Sequence, residues 1–84
     1  MLEIFYFAWV KDRMGRAQES LPLPPGATTV ADLAAFLQAR DPQGARAFID
    51  PASIRAAVNQ DFARPDTPIN EGDEVAFFPP VTGG

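Results

Sequence analysis

Leu2 to Lys11 is an apolar stretch bounded by Glu3 and Lys11 that reads as a β-strand, whose side chains alternate between two faces. Leu2, Ile4, Tyr6, Ala8 and Val10 fall on one face, and Glu3, Phe5, Phe7, Trp9 and Lys11 on the other. Both faces are apolar in the middle, so the second is either covered within the chain or open to a partner. Asp12 to Arg16 contains Met14-Gly15 and reads as a hairpin turn. The return strand is Ala17 to Leu23, an edge strand because Pro22, Pro24 and Pro25 cannot sustain pairing. The period then changes. Val30, Leu33, Ala34 and Leu37 share one face of a helix. Thr28 or Thr29 caps it, and Thr29 and Asp32 have capping-box spacing. It stops near Arg40, since Asp41 precedes Pro42. From Gly44 to Pro51 the pattern is ambiguous, and Ala47, Phe48 and Ile49 read as a short turn that plugs one end of the core.

Arg55 to Asn59 reads as a third strand, with Ala56 and Val58 on one face and Ala57 on the other. A turn at Asn59-Gln60-Asp61 leads to Phe62. Pro65 and Pro68 make the next segment irregular, with Ile69 as its core residue. A turn at Asn70 to Asp73 opens the final strand, where Val75 and Phe77 face the core and Glu74, Ala76 and Phe78 face away. If the first and last strands pair, the expected fold class is α+β: a mixed sheet with one main helix packed across one face, the β-grasp arrangement of ubiquitin. On this reading Phe5, Phe7 and Phe78 lie together on the open side of the sheet, and Phe62 can join them. They are the candidate partner-binding residues.

Composition narrows the chemistry. The chain has 84 residues, which suits one domain. It has neither cysteine nor histidine, which excludes disulfides, Cys/His zinc sites and a histidine-based triad. A net charge of −4 argues against nucleic acid as a partner. No apolar run approaches the ~20 residues of a membrane span, and no signal peptide is legible, so the cytoplasm is the expected compartment. No phosphate-binding glycine loop is present. Asp61, Asp66, Glu71 and Asp73 lack the spacing of a calcium loop, and no metal site is expected. Lys11, Arg13 and Arg16 read as a solvated loop or as a cationic contact for an acidic partner.

What remains is the end of the chain. Pro79 and Pro80 stop the last strand, and Val81-Thr82-Gly83-Gly84 follows. A diglycine end is thin enough to enter a narrow channel and present its carboxylate; an ordinary frayed terminus would carry the same residues. The expected organisation is one ubiquitin-like domain over 1–84 with a flexible tail at 79–84.

The run from Gly72 through Phe77-Phe78-Pro79-Pro80-Val81-Thr82-Gly83-Gly84 resembles the C-terminal signature of the molybdopterin synthase small-subunit family. Ala56-Ala57-Val58-Asn59-Gln60, the end of the opening strand at Phe7-Ala8 and Val10, and the helix start at Thr29-Val30 and Leu33 resemble that family too. The resemblance implies a sulfur carrier without catalytic side chains. Gly84 would become a glycyl adenylate and then a thiocarboxylate that gives its sulfur to cyclic pyranopterin monophosphate (precursor Z). Pro80, Val81, Thr82 and Gly83 would insert into the large subunit, within a heterotetramer. A ubiquitin-activating-like adenylyltransferase would use ATP, and a cysteine desulfurase or rhodanese would supply sulfur. The chain itself would bind no cofactor. Carriers for thiamine or tRNA thiolation, ubiquitin-like modifiers and plain interaction modules are the alternatives.

Overall fold

The computed structural model describes residues 1–80. The expectations placed on Val81, Thr82, Gly83 and Gly84 lie outside those residues. In chain order the elements are β1 (Leu2–Tyr6), α1 (Ala8–Met14), β2 (Gln18–Leu21), α2 (Val30–Arg40) and α3 (Pro42–Ala47), followed by a 3-10 turn (Pro51–Ser53), β3 (Arg55–Val58), β4 (Asp61–Ala63) and β5 (Glu74–Phe78). The five strands form one sheet in the order β2-β1-β5-β3-β4. The first and last strands are parallel neighbours at its centre, and all other pairs are antiparallel. This is the mixed sheet of a β-grasp fold.

Alternation along the strands decides the core. Ile4, Val75 and Val58 are register neighbours on the covered face, as are Tyr6, Phe77 and Ala56. Val10 and Met14 of α1, Val30, Leu33 and Leu37 of α2, and Ala47 and Phe48 complete the same buried cluster. Phe77 is its hub. Tyr6 stacks on it with ring centroids 6.4 Å apart, and Phe48 meets it edge-on at 5.1 Å. At the start of α2 the Thr29 hydroxyl accepts from the Asp32 N–H at 3.2 Å, and the Asp32 carboxylate accepts from the Thr29 N–H at 3.2 Å. Both halves of the capping box are therefore present, and Thr29 is the cap.

The structure corrects several expectations. The first strand ends at Tyr6, not Lys11. Ala8 adopts a left-handed φ of 53°, which turns the chain out of the extended form. Trp9 and Val10 therefore belong to α1, and Trp9 packs on the core edge with the Arg13 guanidinium 4.3 Å above its ring. A helix replaces the turn expected at Asp12 to Arg16. The antiparallel β1–β2 pairing stands, running from Leu2↔Leu21 to Phe5↔Gln18, but β2 is shorter than Ala17–Leu23. Two shorter α-helices, α1 and α3, accompany the main helix α2 among the described residues. The ambiguous segment contains α3 and the 3-10 turn; Ala47 and Phe48 plug the core as expected, while Ile49 is exposed. A short strand, β4, carries Phe62.

Candidate functional site

The face of the sheet away from the helices is built from the other half of each strand. Register places Gln18, Phe5, Ala76, Ala57 and Phe62 in one row across all five strands. In the next row Phe78 of β5 stands beside Arg55 of β3. Two alanines between two phenylalanines leave a shallow apolar trough. Phe62 is 85% exposed, and its ring lies 6.1 Å from that of Phe78. Phe5 and Phe78 are half-buried. Phe7 lies past the end of β1 at the N-cap of α1, yet its backbone is extended and its N–H donates to the Phe77 carbonyl at 3.1 Å. It continues the alternation of Phe5 and is 51% exposed. The four phenylalanines singled out from the sequence thus share one side of the sheet.

The trough is polar at its other end. Glu3 and Glu74 are parallel register neighbours, and the Ser20 hydroxyl bonds Glu3 at 2.7 Å. Asn59 fixes the start of β5. Its carbonyl oxygen accepts from the Glu74 N–H at 3.0 Å, its amide donates to Asp73 at 3.1 Å, and its own N–H donates to the Glu74 carbonyl at 2.7 Å. Asn59 and Gln60 both have positive φ, at 51° and 72°, and form the two-residue link between β3 and β4. The aromatic end is the one from which the chain leaves β5 through Pro79 and Pro80. The acidic residues weighed for a hard cation are not gathered. Glu71 pairs with the N-terminal ammonium, Asp73 serves the Asn70 turn and Asn59, and no metal-ligand cluster occurs among the described residues.

Two polar features escaped sequence reading. Arg55 precedes Ala56 by one position, so alternation alone places it on the Phe78 side. The second is a cluster under the β2 edge. Glu19 takes a bidentate pair from Arg40 at 2.8 and 2.9 Å, the Tyr6 hydroxyl at 2.6 Å and Arg16 at 3.1 Å. Burial opposes ionisation of Glu19, but hydrogen bonds from Arg40 and Tyr6 and the charges of Arg40 and Arg16 outweigh it and hold the carboxyl below its ordinary range. Burial and Glu19 push the Tyr6 hydroxyl far up. Arg13 and Arg16, grouped with Lys11 in the sequence, are engaged by Trp9 and Glu19 respectively. Among the described residues, none of these groups forms a nucleophile–base pair.

The pattern of the ThiS family matches residues 4–84. Over the full length of both chains the sequence is 38% identical to the molybdopterin synthase sulfur carrier subunit of Escherichia coli (strain K12). A solved structure from Pyrococcus furiosus, provisionally assigned as molybdopterin converting factor subunit 1, is 29% identical with a TM-score of 0.75, covering 95% of this chain and 97% of that one. The complex of subunits 1 and 2 of the molybdopterin-converting factor of Helicobacter pylori 26695 contains a chain of the same fold, 24% identical with a TM-score of 0.62, covering 99% and 97%.

Proposed function

The chain belongs to the ThiS family, and from that premise we propose that it is the sulfur carrier subunit of a molybdopterin synthase. The observation that carries the reading is the end-to-end likeness to a carrier subunit of that name, 38% identical with neither chain overhanging the other.

The reactive group is the Gly84 carboxylate. An ATP-using adenylyltransferase joins it to AMP and releases pyrophosphate. The outer sulfur of the donor's persulfide attacks the acyl carbon and AMP leaves; a thiol then attacks the donor's sulfur in the acyl disulfide, so that the thiocarboxylate is released and the thiol ends in a disulfide with the donor. In the large subunit the thiocarboxylate sulfur attacks a side-chain carbon of cyclic pyranopterin monophosphate and displaces the oxygen bonded there, and water then cleaves the acyl–sulfur bond, leaving the sulfur on the pterin and regenerating the carboxylate. Pro80, Val81, Thr82 and Gly83 form the inserted tail, and Gly83 and Gly84 keep it narrow. Phe5, Phe7, Phe62 and Phe78 seat the large subunit at the tail's root, where aromatic anchors contribute most to binding. The two-subunit complex from Helicobacter pylori supports a large-subunit partner.

The test uses the chain with the activating enzyme and sulfur donor of its own host. The intact mass is expected to rise by the difference between one sulfur and one oxygen, and adding the large subunit with precursor Z is expected to yield molybdopterin. Deleting Gly84 should abolish both and leave thermal unfolding unchanged. If the wild-type chain gains no sulfur, or the deletion retains transfer, the reading is wrong. Isopeptide adducts on lysines in place of sulfur would make the chain a protein modifier.

A further inference from the structure

Between α2 and the β3–β4 half of the sheet lies a cavity of about 580 Å3. Its origin is legible in the helix. Val30, Leu33 and Leu37 fill the core, but the neighbouring stripe is Ala31, Ala34, Ala35 and Gln38. Those alanines face Ala56 and Ala63 across the gap, with Phe48 and Phe77 lining it as well. Two rows of methyl groups cannot meet, so the space between them stays open. Pro65, whose carbonyl accepts the Ala31 N–H at 2.9 Å, also borders it. A mainly apolar hollow of this volume with a few polar groups has the character of a binding site.

The polar groups are Arg55, Arg64 and Gln38. Gln38 is committed to the Phe48 carbonyl at 2.8 Å. The Arg55 guanidinium donates one N–H to the Ala52 carbonyl at 2.8 Å. Among the described residues, neither arginine has a carboxylate within ion-pair distance. Two such cations beside an apolar hollow, on a chain of net charge −4, ask for an occupant with an apolar body and negative charge. Arg55 is also the register neighbour of Phe78, so the hollow and the aromatic face meet at one end of the sheet. That continuity favours a length of polypeptide, which can span both, over a small molecule confined to the hollow.

We propose that this cavity is a second docking site, for an acidic segment of a protein partner that seats apolar side chains between α2 and β3–β4 and pairs its carboxylates with Arg55 and Arg64. The proposal rests on the cavity and its charges and stands apart from the sulfur-carrier reading.

The test titrates the 15N-labelled full chain with three probes: a capped peptide alternating glutamate or aspartate with leucine, its glutamine/asparagine counterpart, and decanoate. With the acidic peptide, amide shifts are expected at Ala34, Ala35, Ala56 and Ala63, extending through Arg55 to Phe78. The neutral peptide should bind about fivefold more weakly, and the folded R55Q/R64Q double variant should lose a similar factor for the acidic one. Ala35→Leu, which fills the hollow from a helix position that tolerates leucine, should abolish the shifts. Shifts confined to the open face, indifference to charge, or silence at millimolar peptide would overturn the proposal. Tighter binding of decanoate than of the acidic peptide would also overturn it, because the hollow would then be a small-amphiphile site.

Discussion

Glu19 shows how one side chain can set the acid limit of a small fold. Its folded pKa is lowered, so its contribution to stability is present above the unfolded value and is lost as pH falls through the folded one. Asp41 is lowered too, chiefly by the Gly44 N–H, so acid sensitivity is shared. The comparison with Glu19→Gln isolates one part. At neutral pH the variant is expected to be less stable by about 2 kcal/mol, because Arg40 loses its bidentate partner in a half-buried site. The gap should narrow as pH falls out of the ordinary carboxylate range and through the lowered folded value, where the native carboxyl also protonates. Urea unfolding of both proteins across that range checks it, and a gap constant with pH would refute the linkage. The sequence shows Glu19 only as a polar residue on an edge strand. Apart from Arg16, its partners lie 13 and 21 positions away, and nothing in the local pattern joins them.

Among the elements, strands and helices were legible where a single period ran uninterrupted. β5, α2 with its cap and the Ala56/Val58 alternation of β3 all follow from spacing. The misreading of β1 came from one residue pair. Phe5, Phe7 and Trp9 keep period two across the point where Ala8 turns left-handed, so the pattern continues after the strand has ended. The signal that α1 replaces it was the four-residue spacing of Val10 and Met14, both buried, with Gly15 closing the helix at φ 75°. β4 was lost among Pro65, Pro68 and polar neighbours, since three residues carry too little periodicity. α3 was hidden for another reason. Gly44 sits inside it, and glycine ordinarily argues against a helix interior. The structure shows why it is there: α3 approaches α2 so closely that a Cβ on Gly44 would overlap the Leu37 carbonyl. Gly44→Ala is therefore expected to destabilise by on the order of 2 kcal/mol despite alanine's better helix propensity. A rise in the urea midpoint would show that the two helices can separate at no cost.

For the molecule as a whole, the sheet divides the labour. One side is closed by three helices around Phe77; the other presents Phe5, Phe62 and Phe78 with alanines between them. Phe78→Ala and Phe62→Ala should each weaken binding to the large subunit by ~2 kcal/mol, roughly thirtyfold, while the heat-unfolding midpoint stays close to wild type for the exposed Phe62. Calorimetric titration measures it, and unchanged affinity in both folded variants would remove this face as the dock. The position of this side was legible because strand alternation fixes it; its polar end, and Arg55 at the other, emerge only from the register. That same register has a temporal side. The centre of the sheet is β1 against β5, joining segments some seventy positions apart. Synthesis delivers β1 first, and its parallel neighbour, with Val75 and Phe77 of the core, follows only some seventy residues later. A nascent or prematurely terminated chain therefore holds β1 without its central partner, and closing so long a loop is the slow step expected of such a topology. A polypeptide broken off before Glu74 lacks the one strand that joins β1 to β3, so its two half-sheets have nothing to hold them together.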